Sequence, residues 1–247
     1  MNFQDKVKEM YDEQCSENYV ESDKLATSTI EHYGGMLRQI CSTFDHKISV
    51  LDVGCGTGRY FHCLTNVKKL LGIDISPYML EKARDPIKRE EIDVDDIELL
   101  CGDIFCLDIP FESFDFVYSI GVLGEYSPFN LYICNRLFGL LKPNGKLFFT
   151  VTDAHSRMQD FGDEQPNIGK RALRKIFPVL PLMGRRYVNR RLSSFFLTRE
   201  EIEGILGKSA FAEYKIWHWQ HPKKIGWQGS HYDCLALKNK AIHPIKV

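Results

Sequence analysis

Short apolar runs alternate with polar, helix-compatible segments along most of this chain. Strands are predicted where the runs occur, at residues 50–53, 70–74, 97–101, 114–119 and 147–152, with a last pair at 212–219 and 231–237. Runs of about four to eight apolar residues are typical of strands buried on both faces of a sheet. Strands that alternate with helical segments favour an α/β domain.

The helical segments have recognisable ends. Residues 1–47 are predicted to form amphipathic helices, one over Lys6–Gln14 and a longer one that Ser22 caps and that runs through Ile40. Ser76 and Pro77 predict the start of a helix that continues toward Arg84. A capping box at residues 198–201 predicts a further helix ending near Gly207, and residues 140–146 are predicted to close a helix before the fifth strand.

The first strand runs directly into a glycine-rich turn. The sequence from residue 50 to 60 reads V-L-D-V-G-C-G-T-G-R-Y. Glycine is needed where the backbone turns sharply, takes a positive φ or approaches a ligand closely. The dinucleotide motif G-x-G-x-x-G requires its third glycine where this chain has Arg59, which weakens an NAD interpretation. A different nucleotide-like cofactor is indicated, and a structural turn without a ligand is the alternative.

The motif D-x-G-x-G-x-G at residues 52–58 resembles that of the class I S-adenosylmethionine-dependent methyltransferases. Asp74 follows Asp52 by 22 positions and ends the second strand, where an acid can accept hydrogen bonds from ribose hydroxyls. The resemblance covers roughly residues 48–153 and 198–238. It implies an α/β, Rossmann-like, doubly wound sheet of seven strands in the order 3-2-1-4-5-7-6, with strand 7 antiparallel. Residues 1–247 would form a single domain with a helical lid at 1–47 and a substrate-cap insertion at 154–197.

The same resemblance implies a cofactor, S-adenosylmethionine, with S-adenosylhomocysteine as product. The glycine turn would hold the amino-acid end of the cofactor, Asp74 the ribose, and Asp103 with Ile104 the adenine. The loop after the fourth strand would pass beside the reactive methyl group. Tyrosines of the lid, Tyr33 among them, either line the cavity or simply pack the helices. The residues expected to bind the cofactor are Asp52, Gly54, Cys55, Gly56, Gly58, Asp74, Ile75, Asp103, Ile104, Ser119, Gly121, Tyr11 and Tyr19.

Histidines are the expected general bases, because their pKa lies near neutrality. His155 is the first candidate and His221 and His231 follow, although each could be a structural hydrogen-bonding residue instead. Glu125 and Tyr126 are further possible acceptor contacts. The segment 154–197 carries many more basic than acidic residues. It is interpreted either as a pocket wall for a phosphate or carboxylate group or as a solvated helical face.

Composition narrows the choice of function. The chain has 247 residues, 44% hydrophobic and 26% charged, and a formal net charge of -1, so no chain-wide attraction to nucleic acid is implied. The eight cysteines lack metal-ligand spacing and are expected to be reduced thiols, with no metal site and no nucleophilic role for Cys55. No apolar run is long enough to cross a membrane, and a cytoplasmic location with no membrane partner is expected.

The predicted function is methyl transfer to an oxygen or nitrogen of a small metabolite, which carries a phosphate or carboxylate if the basic insertion forms a pocket. The chain has neither the N/D-P-P-Y/F tetrad after the fourth strand nor a Pro-Cys pair, which makes the amino-methylating and cytosine-carbon methylases that carry them poor matches. An RNA methyltransferase, a non-catalytic S-adenosylmethionine-binding protein and an NAD(P)-dependent oxidoreductase are the alternatives.

Overall fold

The structure, a computed structural model, describes residues 3–25, 27–156, 195–220 and 230–239. Its centre is a seven-stranded sheet in the order β3-β2-β1-β4-β5-β7-β6. Strand β7 pairs antiparallel with both β5 and β6, and the pairs from β3 to β5 are parallel. The strand order and the antiparallel seventh strand are confirmed. The strands are β1 Ile48–Val53, β2 Val67–Asp74, β3 Ile97–Cys101, β4 Phe114–Ser119, β5 Leu141–Thr152, β6 Glu213–Gln220 and β7 Ser230–Leu237.

Helices flank this sheet and precede it. The helices are α1 Phe3–Met10, α2 Glu13–Leu25, α3 Thr27–Cys41, α4 Pro77–Ala83, α5 Leu131–Leu140 and α6 Arg199–Leu206. Both predicted helix starts are confirmed. Ser76 caps α4 by accepting a hydrogen bond from the Met79 N–H at 3.3 Å, and Thr198 and Glu201 form the reciprocal capping box of α6.

Three predicted boundaries are wrong. The predicted helix over residues 6–14 is divided, because α1 ends at Met10 and Asp12 starts α2 by accepting a hydrogen bond from the Cys15 N–H at 2.8 Å. Ser22 lies inside α2 and caps no helix. The fifth strand begins at Leu141 instead of 147, and the register against β4 shifts where Asn144 takes a φ of 64°.

The core lies on both faces of the sheet. Alternate residues of β1 belong to opposite sides, with Leu51 and Val53 in one buried cluster and Ile48 and Val50 in the other. Such two-sided burial is expected of a parallel sheet covered by helices. The carboxyl ends of β1 to β5 therefore meet at one edge, and the antiparallel β7 begins there.

Candidate functional site

The glycine turn after β1 is shaped by positive φ angles at Gly54, Gly56 and Gly58 (80°, 55° and 74°). The N–H groups of Gly54 and Cys55 both donate to the Ile73 carbonyl, at 2.7 and 2.9 Å. A Cβ at Gly54 would overlap the Val122 side chain, whereas a Cβ at Gly56 would meet no atom within 4 Å. The turn is thus packed against protein at Gly54 and open at Gly56, where a ligand can approach the backbone.

Asp74, at the end of β2, is fixed beside this open position. Its Oδ2 accepts the Gly56 N–H and its Oδ1 accepts the Ser76 N–H, both at 2.9 Å. Burial raises the pKa of Asp74, and the backbone hydrogen bonds oppose that rise. Carboxylate oxygens each have two lone pairs, so both oxygens can still accept a hydroxyl donor. The turn and the carboxylate fit a ligand that presents adjacent hydroxyl groups.

Three other predicted cofactor residues lie within the protein. Asp52 is buried and accepts a hydrogen bond from the Tyr118 hydroxyl at 2.6 Å. Burial raises the pKa of Asp52 to about 8, with the hydrogen bond from Tyr118 opposing and the charge of Asp74 adding to the rise. Burial also raises the pKa of the Cys55 thiol well above its usual value, and the buried Ser119 hydroxyl donates to the Val53 carbonyl at 2.9 Å. These contacts stabilise the strands on which the turn is built.

The segment after β3 lies next to Asp74, because the Gly102 N–H donates to the Asp74 carbonyl at 2.9 Å. Asp103 follows and accepts the Phe105 N–H at 2.9 Å, which forms a tight turn. Ile104 is buried, and Ile75 is half-buried. The structure therefore brings the predicted adenine and ribose residues to the same edge of the sheet.

The N-terminal helices are attached directly to the glycine turn and to α4. Asp23 of α2 is 3% exposed; it accepts the Thr57 hydroxyl at 2.5 Å and forms an ion pair with Arg59. Burial raises the pKa of Asp23, and Arg59 and Thr57 oppose that rise. The Ser76 hydroxyl donates to the Tyr11 carbonyl at 2.6 Å. Sequence analysis missed Asp23, which has no local motif.

Three tyrosines from separate segments pack together above this attachment. Tyr11 contacts both Tyr19 and Tyr126, with ring centroids 5.8 and 5.3 Å apart. The Arg59 guanidinium lies over the Tyr19 ring at 5.3 Å. Burial raises the pKa of each of the three hydroxyls, so all three are neutral at pH 7. Tyr11 and Tyr19 thus pack against the loop that follows β4.

That loop turns at Gly121, where φ is 73° and the N–H donates to the Thr150 hydroxyl at 2.8 Å. A Cβ at Gly121 would lie 3.9 Å from Glu125 Oε2. The same carboxylate oxygen accepts the Thr152 hydroxyl at 3.3 Å and is 3.9 Å from His231 Nε2. Glu125 therefore joins the ends of β4 and β5 to the start of β7.

A second carboxylate lies nearby in β7. Asp233 is 2% exposed and pairs with His32 of α3 at 2.8 Å. The His32 ring stacks on Trp219 of β6, with centroids 4.1 Å apart and an angle of 4° between the planes. Burial raises the pKa of Asp233, with the hydrogen bond and charge of His32 opposing the rise. This contact attaches α3 to the β6–β7 edge, and neither His32 nor Asp233 was predicted from the sequence.

The predicted catalytic histidines occupy different environments. The His155 side chain is 77% exposed and its Nδ1 is 3.1 Å from Asp153 Oδ1. Asp153 also pairs with His218 at 3.0 Å. Burial alone would raise the pKa of Asp153, but hydrogen bonds from His155, Ser230 and His218 hold it below its usual value. By contrast, His231 is buried beside Glu125.

His221 and the basic residues of 157–194 lie outside the described residues. Within the described ranges, no helix is long and apolar enough to span a bilayer.

Comparison with known proteins agrees with this arrangement. Residues 50–145 match the family profile described as "Methyltransferase domain". The chain is 29% identical over 132 residues to the sterol 24-C-methyltransferase of Debaryomyces hansenii, a match that covers 51% of this chain and 32% of that protein. It is 35% identical over 104 residues to the demethylmenaquinone methyltransferase of Lactococcus lactis, which covers 40% of each protein. The chain thus spans well under two thirds of these relatives.

Solved structures show the same fold. The phosphoethanolamine N-methyltransferase 2 of Haemonchus contortus, in complex with phosphomonomethylethanolamine and S-adenosylhomocysteine, superposes with a TM-score of 0.62. Its sequence identity is 14%, and the superposition covers 97% of this chain and 61% of that one. Residues 50–145 therefore match a methyltransferase domain, and the strand order of the sheet is the one expected of the class I S-adenosylmethionine-dependent methyltransferase fold.

Proposed function

We propose that the protein transfers a methyl group from S-adenosylmethionine to an oxygen or nitrogen of a small-molecule acceptor. The observation that carries this proposal is the contact between Asp74 and the glycine turn. The Asp74 carboxylate is held by two backbone N–H groups beside Gly56, and the space above Gly56 is open. An acid and an exposed backbone turn at the carboxyl ends of parallel strands suit a ribose-containing ligand.

Particular residues would hold each part of the cofactor. The glycine turn would take the amino-acid end, Asp74 the ribose hydroxyls, and Asp103 with Ile104 the adenine. Tyr11 and Tyr19 would cover the site as part of an N-terminal lid, consistent with the attachment of Asp23 to Thr57 and Arg59. When bound, S-adenosylmethionine supplies a methyl group activated on a sulfonium.

The protein's own contribution is mainly to bind, orient and exclude water. Positioning two reactants accounts for a large share of the rate in such transfers. The buried tyrosine cluster and the helices attached by Asp23 would keep solvent from the reacting atoms. Of the predicted bases, His231 is the better placed, because it is buried beside Glu125, whereas the His155 side chain is largely exposed. A base there would remove a proton from the acceptor.

The acceptor is proposed as a small molecule. The relatives' names refer to a sterol and a demethylmenaquinone, and the solved structure of a related fold holds phosphomonomethylethanolamine. A phosphate or carboxylate on the acceptor, bound by the basic segment 154–197, stays a prediction from the sequence, as does the cytoplasmic location.

Calorimetric titration of S-adenosylmethionine and S-adenosylhomocysteine tests the proposal. We expect both to bind the wild type, and Asp74→Ala to weaken binding by about 1.5–3 kcal/mol because ribose hydroxyls lose a charged acceptor. Asp85→Ala, which removes an exposed carboxylate paired with Arg89, is the matched control and should bind normally. Absence of binding by the folded wild type would contradict the proposal. Binding without S-adenosylhomocysteine formation from any acceptor pool would support the non-catalytic alternative.

A further inference from the structure

The acceptor side of the site contains a carboxylate that the proposed cofactor contacts do not use. Glu125 follows β4, and its Oε2 lies 3.9 Å from the position of a Cβ on Gly121. This is the loop expected to pass beside the reactive methyl group. The Glu125 side chain is 20% exposed, so its carboxylate is held near the site but can still meet a ligand.

The described partners of Glu125 leave its charge largely uncompensated. Within the described ranges, its hydrogen bond is with the neutral Thr152 hydroxyl at 3.3 Å. His231 Nε2 lies 3.9 Å from the same carboxylate oxygen, which is too long for a hydrogen bond. The other carboxylate of this region, Asp233, already pairs with His32 at 2.8 Å. Of the two carboxylates, Glu125 is therefore the one whose charge is less compensated by its described partners.

A cluster of tyrosine rings lies next to the residue that carries this carboxylate. Tyr126 follows Glu125 in the loop after β4, and its ring contacts that of Tyr11, with centroids 5.3 Å apart. Tyr11 also contacts Tyr19 of α2, at 5.8 Å, and the charge of Glu125 disfavours ionisation of the Tyr19 and Tyr126 hydroxyls. Aromatic faces attract cations, and the attraction is stronger where water is excluded. A carboxylate beside tyrosine rings is an arrangement that suits an ammonium group.

From this arrangement we infer that the methyl acceptor is an amine, bound as an ammonium ion by Glu125 next to the cluster of Tyr11, Tyr19 and Tyr126. The inference rests on the proposed function and adds the chemical class of the acceptor. Glu125 Oε2 accepts an N–H of the ammonium ion and takes the proton that the nitrogen must lose, so that for an amine acceptor Glu125 has the base role that His231 would have for other acceptors. The nitrogen keeps the electron pair, which forms the new bond to the methyl carbon as the methyl–sulfur bond breaks and the electrons of that bond stay on the sulfur. Thr152 and His231 orient the carboxylate for this role.

The same electrostatics disfavour a carboxylate or phosphate at this position. A like charge beside Glu125 would be repelled in a partly desolvated site, where electrostatic interactions are stronger than in water. An anionic group elsewhere on the acceptor remains compatible, because the basic segment 154–197 is a separate part of the chain.

Matched probes of opposite charge test the inference. Hexylamine and hexanoate share a carbon skeleton, as do phenethylamine and phenylacetate. Each would be titrated calorimetrically into the protein saturated with S-adenosylhomocysteine, and each would be tested as an acceptor by S-adenosylhomocysteine formation from S-adenosylmethionine. We expect the amines to bind and react, and Glu125→Gln to weaken amine binding by about tenfold or more, since the charge-assisted hydrogen bond is lost.

Two further variants separate this role from a structural one. Glu125→Asp keeps the charge and should recover part of the amine affinity, while Glu98→Gln removes a half-exposed carboxylate that pairs with Lys69 and should change nothing. Thermal unfolding of each variant checks the fold.

The inference would be overturned if the protein preferred the carboxylates, or if Glu125→Gln bound the amines as well as the wild type does. It would also be overturned if neither series bound while S-adenosylhomocysteine bound normally. Failure of S-adenosylhomocysteine itself to bind would instead overturn the proposed function.

Discussion

Replacing Asp23 by alanine should detach α2 from the glycine turn. Asp23 accepts the Thr57 hydroxyl and pairs with Arg59, and both partners belong to the turn region after β1. The substitution therefore removes two contacts between the N-terminal helices and the predicted cofactor site. Glu21→Ala is the matched control, because Glu21 lies in the same helix, is 70% exposed and pairs with Lys24.

The size of the effect follows from burial. A hydrogen bond to a charged group contributes about 1.5–3 kcal/mol, and breaking a buried ion pair costs about 3–5 kcal/mol when the remaining charge stays buried. The Arg59 side chain is already 20% exposed, so it can be hydrated when α2 moves away. Removing the Asp23 carboxylate also removes the cost of burying its charge, and that same burial raises the pKa of Asp23 in the folded protein. We therefore expect a net loss of about 2–3 kcal/mol in the attachment of α2.

Hydrogen exchange measures this loss directly. Amides of α2 should exchange about 30- to 150-fold faster in Asp23→Ala if they exchange through local opening, while those of β1 and β4 should change little. Affinity for S-adenosylhomocysteine should fall in parallel if the helices cover the cofactor. Equal exchange in α2 of Asp23→Ala and Glu21→Ala would refute the reasoning, as would faster exchange spread evenly over the domain.

The remaining predictions concern the turn, a buried acid and the attachment of α3. In urea unfolding, Gly56→Ala should lower the free energy of unfolding by about 1–2 kcal/mol, the cost of a left-handed backbone conformation for a residue with a Cβ. The same variant should nevertheless bind S-adenosylhomocysteine poorly. Gly54→Ala should lose more stability, because its Cβ also overlaps Val122; equal losses would contradict this account. Burial raises the pKa of Asp52 from 3.8 to about 8 in the folded protein, so the folded state binds this proton more tightly than the unfolded state. The free energy of unfolding gained in this way is fully present below pH 3.8 and is lost as pH rises from 3.8 through 8, by at most about 1.4 kcal/mol per pH unit. Urea midpoints from pH 5 to 8 should therefore decline less steeply in Asp52→Asn, and parallel curves would show that Asp52 is ionised. His32→Gln should lower the free energy of unfolding by about 1–3 kcal/mol at pH 7, since the buried Asp233 carboxylate loses its histidine partner. A double-mutant cycle with Asp233→Asn should show coupling between the two residues, and additive losses would show that they do not interact.

Local signals explain which elements were predicted well. β3 and β4 have the predicted bounds, because each is a short apolar run that ends at a turn signal. Ser76 and Thr198 identified their helices because an N-cap is a local contact. The break after α1 was missed although Asp12 is a capping residue type, because apolar residues continue at helical spacing to Tyr11. A capping signal outweighed periodicity there.

The contacts between distant segments could not be predicted in the same way. Thr57 and Asp23 are 34 positions apart, and His32 and Asp233 are 201 apart. No local pattern distinguishes Asp23 from the other charged residues of α2. The glycine turn, with Asp74 and Asp103, was placed at the site because each comes directly after a parallel strand, whose carboxyl ends share one edge of the sheet. Glu125 was named from the sequence, but its environment became clear only when β5 and β7 placed Thr152 and His231 beside it.

The proposed cofactor site can be tested by a crystal structure of the protein with S-adenosylhomocysteine. We predict that the ligand's ribose hydroxyls donate to Asp74 and that its amino-acid end lies along the turn from Gly54 to Gly58, with the sulfur facing the loop at Gly121. Density for the ligand at another edge of the sheet, or no ligand density in crystals grown at saturating ligand, would show that the glycine turn and Asp74 do not form the cofactor site.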